Sequence, residues 1–273
     1  MRTRARVRGA VCGALACSVA ATALPVAAAS AKTTITLSGS TSVAPLAAKL
    51  ARRYVKETHG RVGFRLLQGG SDVGISDVAR GRVTLGMSSR DPKPSDRGLQ
   101  FKRIARDAIC IITNKRNRLG NVSQAQVQQI FGGGVRQWGR VPGATTSGTI
   151  DLFVRTAASG TQDAFKKIFM GGKDPSSVAS QRASNGLVQQ SVKNAAGGIG
   201  YVSLAFTKGV HAVRYKGVAC NLRNAKSGTY GGVRNFWLVS RGKASKAAAK
   251  WIKWIRNDRD ALRLTAMQWV PLK

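Results

Sequence analysis

Thr33-Thr34-Ile35-Thr36-Leu37 is a β-rich run that ends in the small-residue loop Ser38-Gly39-Ser40-Thr41-Ser42, and the loop opens onto Val43, Leu46, Ala47, Leu50 and Tyr54 at helical spacing. Pro45 falls in the first helical turn, where its missing amide has no partner to lose. The same sequence of elements then repeats. Residues 62–67 predict a strand, Gly69-Gly70-Ser71 leads into a short helix over 72–79, and residues 83–87 predict a third strand ending at Ser88-Ser89-Arg90-Asp91-Pro92. A βαβαβ run of this kind builds an α/β fold with a mostly parallel sheet flanked by helices. In such sheets ligands bind beyond the carboxyl ends of the strands, where all three loops fall.

A later stretch has the same construction. Arg155-Thr156-Ala157-Ala158-Ser159-Gly160-Thr161 stands between the apolar run 150–154 and a helix-like run 162–170. A strand that passes through a small-residue loop into a helix places backbone N–H groups, hydroxyls and a fixed cation around one point, which suits an anion. Ser and Gly before a helix also serve simply as an N-cap and its turn. Two loops of one build, however, can close on one ligand. A tetrahedral oxyanion needs many short donors and limited positive charge. The candidate hydroxyls are Ser40, Thr41, Ser42, Ser71, Ser89, Ser159 and Thr161, with backbone N–H groups at three helix starts and the forked guanidinium of Arg155.

The remaining chain continues the alternation. Residues 108–113 predict an apolar strand, followed by a basic loop with Lys115, Arg116 and Arg118, a helix over 123–130 and a turn at Gly132-Gly133-Gly134. Helices are expected over 184–194, 244–256 and 258–267, and strands over 197–202, 210–215 and 233–239. Trp251 and Trp254 fall on the apolar face of the first of the two late helices and read as core.

Arg2, Arg4, Arg6 and Arg8 precede an apolar small-residue run and the cleavage-like Ala29-Ser30-Ala31, so residues 1–31 read as a signal peptide. Cys17 after Leu15-Ala16 also permits a lipid tether, although Ala14 stands three before it and much of the apolar run follows it. Without residues 1–31 the chain keeps 41 basic and 11 acidic residues, a formal charge of +30. Such a field favours anions of every size. The charges are spread along the whole chain, as a solvated surface would have them. Cys12 and Cys17 leave with the signal. Cys110 and Cys220 remain, and in an oxidising compartment they form one bridge or stay as two buried thiols. Only His59 and His211 are histidines, and no nucleophile elbow, Walker loop or metal-ligand cluster is present, so no enzyme, metal or cofactor is expected.

The segments Ser38-Gly39-Ser40-Thr41-Ser42-Val43-Ala44-Pro45-Leu46, Gly69-Gly70-Ser71, Leu85-Gly86-Met87-Ser88-Ser89-Arg90, Arg155 with Ser159-Gly160-Thr161, and Gly198-Ile199-Gly200-Tyr201-Val202-Ser203 occur in order. With Val218 to Gly228, Tyr230 and Arg234, they resemble the periplasmic phosphate-binding proteins of phosphate ABC transporters, in their shorter bacterial form. The resemblance implies a two-lobed α/β protein with a mostly parallel sheet in each lobe, closing on dehydrated phosphate in the cleft. Lobe 1 would take 32–104 plus 241–273 and lobe 2 would take 105–240. By the same resemblance Ser40, Thr41, Ser42, Ser71, Ser89, Arg155, Ser159, Gly160 and Thr161 bind inorganic phosphate. The protein would be an exported monomer serving an ABC permease, with no specific nucleic acid. Longer members carry an aspartate acceptor where this chain has Ser89. A hydroxyl both donates and accepts, and so discriminates less between phosphate and sulfate. Asp91 offers a replacement acceptor two residues on. The other readings are a binder of sulfate or another oxyanion, a phosphate sensor, and a basic extracellular polyanion-binding protein.

Overall fold

The computed structural model describes residues 32–272; the expected signal segment and cleavage site, with Cys12 and Cys17, lie outside the described residues. In chain order the elements are β1 (Thr33–Gly39), α1 (Ala44–Glu57), β2 (Val62–Gln68), α2 (Ser71–Ala79), β3 (Leu85–Ser88), β4 (Leu99–Thr113), β5 (Asn121–Val122), α3 (Gln124–Phe131), β6 (Asp151–Arg155) and α4 (Gly160–Ile168). There follow β7 (Ser180–Arg182), α5 (Asn185–Asn194), β8 (Gly198–Ser203), β9 (His211–Ala212), β10 (Arg214–Tyr215), α6 (Leu222–Ser227), β11 (Val233–Arg241), α7 (Lys246–Asn257) and α8 (Arg259–Ala266).

The predicted βαβαβ run forms as read. β1 pairs in parallel with β2 and with β3, so their carboxyl ends lie side by side. The main sheet runs β2-β1-β3-β11-β4-β8-β6-β7, and β9 also pairs with β4. β6 pairs in parallel with β7 and β8, so both ends of the path are parallel and the antiparallel strands β11 and β4 join them.

β4 is the element whose extent the sequence hides. Its apolar second half, 108–113, reads as a strand; its first half, Leu99 to Asp107, carries Lys102, Arg103, Arg106 and Asp107. Opposite β11 the register skips Ile104, since Phe236 faces Ala105 and Trp237 faces Arg103. A bulge of this kind breaks the period of two on which strand recognition depends. The run 210–215 likewise divides at Val213 into two short strands with different partners, β9 on β4 and β10 on β5.

Burial sorts the chain into two large apolar cores. One gathers α1, β1, Ile104, Ala105, Phe236, Leu238 and α7 to Trp269. The other takes Ala108 to Ile112, the aromatic stack of Phe131, Phe165, Phe169 and Tyr201, and Tyr230. Trp251 and Trp254 pack as core residues, against Phe64 and Tyr54 respectively. Cys110 and Cys220 meet in a disulfide, with Cα atoms 5.6 Å apart, at the edge of the second core. That decides between the bridge and two separate thiols. Among the described residues no helix is long and apolar enough to cross a membrane.

Candidate functional site

The ends of β1, β3 and β6 bring three of the small-residue loops together. Gly39 ends β1 with φ 130°, a conformation that L side chains rarely adopt, and a Cβ there would lie 2.4 Å from the Met87 carbonyl oxygen. The chain then turns through Ser40, Thr41 and Ser42 into α1. Ser71 starts α2, Ser89 follows β3, and Ser159, Gly160 and Thr161 start α4. All nine expected site residues are buried. Ser40 Oγ donates to Ser89 Oγ at 2.9 Å, and Ser71 Oγ lies 3.3 Å from Ser89 Oγ. Ser42 Oγ lies 3.0 Å from Thr161 Oγ1, which joins the loop after β1 to the loop after β6.

Several of these groups also make structural bonds. Ser159 is the N-cap of α4, accepting from the amides of Thr161 and Gln162 at 3.1 and 3.3 Å. Its hydroxyl proton stays available for donation. The Ser42 amide points to Ser40 Oγ, and the Asp72 amide bonds the Ala158 carbonyl at 3.1 Å, so part of the expected backbone donor set is already paired. Gly160 brings its backbone against Ser71 and the Ser89–Arg90 peptide, with no room for a Cβ. Asp91 Oδ1 accepts from Asn235 Nδ2 at 3.0 Å and Trp237 Nε1 at 3.1 Å, so one oxygen of this carboxylate is committed to β11.

Arg155 is 2% exposed. Its Nε donates to the Arg182 carbonyl at 3.1 Å and its Nη2 to the Ala183 carbonyl at 2.7 Å. Two neutral acceptors therefore hold the fork, and Nη1 is buried with no hydrogen-bond partner. Burial pushes this guanidinium down to about 10; Tyr201 opposes that effect, and the nearby charge of Arg234 adds to it. The group is still a cation at neutral pH. A buried cation without a carboxylate costs several kcal/mol unless an anion joins it.

Sequence reasoning missed three residues in this network. Arg234 on β11, 6% exposed, donates from Nη2 to Ser42 Oγ at 2.9 Å and to Asp107 Oδ2 at 2.9 Å, and its Nη1 is also buried without a partner. Asp107 Oδ1 accepts from Ser203 Oγ at 2.9 Å, and its carboxylate also takes the Leu204 amide. Burial pushes the Asp107 carboxyl up and the Arg234 guanidinium down, and the attraction within the pair opposes both shifts. Asn185 at the start of α5 donates to Thr41 Oγ1 at 3.0 Å and Ser42 Oγ at 2.8 Å, while its Oδ1 accepts from the Ser203 amide at 3.0 Å. The site thus holds two buried guanidiniums against one carboxylate, an arrangement that a bound anion completes. Arg234 was visible only as a residue of the late matching segment. Nothing local marks Asn185 or Asp107, apart from a carboxylate standing beside an apolar strand.

Arg90 holds the Ser89 loop in place. Its guanidinium meets Asp72 Oδ1 at 2.6 Å and Asp96 at 2.8 and 3.0 Å, and Ser88 Oγ donates to its carbonyl at 2.9 Å. On the rim, Lys93 pairs with Asp163 of α4 at 3.0 Å. Among the described residues no group of three or more His, Cys, Asp and Glu side chains could hold a metal ion.

Comparison with known proteins gives one consistent result. Residues 25–259 match the PBP superfamily domain. The chain is 24% identical over 231 residues to the phosphate-binding protein PstS of Bacillus subtilis, covering 82% of this chain and 75% of that protein. Over 106 residues it is 33% identical to phosphate-binding protein PstS 2 of Streptococcus agalactiae, 38% of this chain and 36% of that one. A crystal structure from Clostridium perfringens, described as a phosphate ABC transporter substrate-binding protein with bound phosphate, superposes with a TM-score of 0.83 at 27% identity, covering 88% of this chain and 100% of that one. An ABC-type phosphate transport receptor from Vibrio cholerae superposes with a TM-score of 0.70 at 26% identity, covering 86% and 99% of the two chains.

Proposed function

The chain belongs to the PBP superfamily, and from that premise we propose that it captures inorganic phosphate between two lobes and delivers it to an ABC permease. The observation that carries this reading is Arg155, a buried cation held by two carbonyls with one N–H edge unsatisfied, in a candidate site rich in hydroxyls. Ser40, Thr41, Ser42, Ser71, Ser89, Ser159, Gly160 and Thr161 supply the short donors, and Arg234 adds a second cation whose charge Asp107 offsets. These groups bind without reacting, so the chain acts as a binding protein rather than an enzyme. It works outside the cytoplasm as a monomer, carried there by its first 31 residues.

In this reading the lobes join through β4 and β11. The first lobe takes 32–104 and the C-terminal segment, and the second takes the middle of the chain. The return to the first lobe follows Ser240, and Phe236 and Leu238 of β11 already pack in the first core. The hydrogen bonds of Ser42 with Thr161 and of Asn185 with Thr41 and Ser42 then bridge the lobes.

One observation favours a second ligand. One Asp91 oxygen is held by Asn235 and Trp237 and both Asp107 oxygens are occupied, so hydroxyls make up most of the acceptors available to a protonated oxyanion. Such a set rejects sulfate less strongly than a free carboxylate would. Calorimetric titration of the anion-stripped protein with phosphate and then sulfate tests both readings. One-to-one phosphate binding with sulfate silent is the expected result. Equal competition by sulfate identifies a general oxyanion binder, and silence toward both overturns the small-anion site.

A further inference from the structure

Beside the hydroxyl cluster, on the side walled by β4 and β11, lies a cavity of about 420 Å³ whose lining includes Ser89, Arg103, Arg106, Lys167 and Arg234. It borders the candidate phosphate site directly, because two of its lining residues belong to both. Ser89 Oγ accepts from Ser40, and Arg234 Nη2 donates to Ser42. Exposure falls inward along the arginines: Arg103 is exposed, Arg106 is half-buried and Arg234 is buried.

The charges around this cavity are unevenly compensated. The carboxylate of Asp91 is held by Asn235 and Trp237, and that of Asp163 by Lys93 and Lys167. Arg90 is taken by Asp72 and Asp96. Arg103 and Arg106 have no side-chain hydrogen bond or ion pair among the described residues, and the buried Nη1 of Arg234 has none either. Two unpaired cations toward the rim and Arg234, paired with Asp107 but with Nη1 unsatisfied, at the inner end form a row that leads to the hydroxyls. The lining carries five basic side chains against the carboxylates of Asp91 and Asp163, and a cleft of predominantly one sign concentrates the opposite ion and raises its association rate.

We propose that this cavity is an antechamber for the oxyanion: an outer station where Arg103 and Arg106 hold phosphate before it passes Arg234 into the closed site. The proposal rests on the phosphate reading above and extends it to the route and rate of capture. It also gives part of the large positive charge a location. A field spread evenly over the molecule would draw phosphate to any face, whereas this row leads to one.

The test compares two doubly neutralised variants of equal net charge. Arg103→Gln/Arg106→Gln removes the antechamber cations; Lys250→Gln/Lys253→Gln removes two exposed cations of α7, neither of which lines the cavity. Association and dissociation of radiolabelled phosphate are followed by rapid filtration at low and high salt. The antechamber variant is expected to associate on the order of 10-fold more slowly at low salt, with the deficit shrinking as salt screens the charges. Its dissociation rate should change little, the α7 variant should keep the wild-type rate, and Arg103→Lys/Arg106→Lys should restore association. Equal association rates in the two Gln variants would overturn the antechamber while leaving phosphate binding intact. A wild-type protein that binds no phosphate at equilibrium would overturn the phosphate reading, and the antechamber with it.

Discussion

Gly160 and Ser71 touch without clearance: a Cβ on Gly160 would lie 2.3 Å from Ser71 Oγ and 2.7 Å from the Arg90 amide nitrogen. One residue starts α4 and the other starts α2, so the seam between the two cores closes on a glycine at the point where the hydroxyls converge.

Gly160→Ala therefore acts on closure. The neighbours at this point include backbone as well as the Ser71 hydroxyl, so they cannot simply rotate away, and overpacking of this kind costs about 1–3 kcal/mol. Phosphate affinity should fall by a corresponding factor of about 5 to 150. The melting temperature of the ligand-free protein should change less, because lobes held apart relieve the clash. Calorimetry together with thermal melts separates the two effects, and wild-type affinity in this variant would contradict the contact.

Arg155 and Arg234 predict different outcomes on truncation. Arg155→Ala should weaken phosphate binding by about 2–5 kcal/mol, without destabilising the ligand-free protein, because it removes a buried cation that lacks a carboxylate partner. Arg234→Ala leaves Asp107 buried and unpaired, so about 3–5 kcal/mol of folding stability should go as well as affinity. Denaturant titration alongside phosphate titration distinguishes them. Equal stability loss in both variants would mean that the compensation by Asp107 has been misassigned.

The Asp96–Arg90 pair should shape the acid limb of the stability curve. The hydrogen bond from Arg90 holds the Asp96 carboxyl below its ordinary value, against the opposing effect of burial, and the Lys93 amide adds to the lowering. A depressed carboxyl contributes stability above its unfolded pKa, near 4, and that contribution is lost as pH falls from there through the folded value. Asp96→Asn should cost about 3 kcal/mol at neutral pH and flatten the decline below pH about 4. It should also loosen Ser89. Urea unfolding between acid and neutral pH checks the first effect, and phosphate titration checks the second.

The Cys110–Cys220 disulfide closes a long loop, the two residues being 110 apart in sequence. Replacing both cysteines by alanine should lower stability by about 2–5 kcal/mol. Phosphate affinity at low temperature should be nearly unchanged, since neither residue touches the hydroxyl cluster. Matched melts and titrations of the oxidised protein and the variant test both statements.

Legibility of the chain followed the range of the interactions involved. β1, α1, β2, α2 and β3 could be read because apolar spacing, Gly turns and small-residue loops are local signals. β4 could be read only in its apolar half, because the bulge at Ile104 and the exposed arginines remove the alternation from the other. The site divides in the same way. Ser40, Thr41, Ser42, Ser71, Ser89, Ser159, Gly160 and Thr161 stand in loops whose composition announces them. Arg234, Asp107 and Asn185 sit in or beside regular elements and reach the site through partners far away in sequence, as with Arg234 and Asp107, 127 apart, and Asn185 and Thr41, 144 apart.

By itself the sequence determined the α/β class, the placing of small-residue loops at strand ends and the choice of hydroxyls, amides and an arginine for an anion, because those properties are carried by adjacent residues. Tertiary structure alone decided that Arg155 keeps one free edge, that Asp107 offsets Arg234, that Asp91 bonds Asn235 and Trp237 and that Gly160 leaves no room for a side chain. Those are balances of charge, hydrogen bonding and volume between segments far apart in the chain, and they take a value only when the segments are packed together.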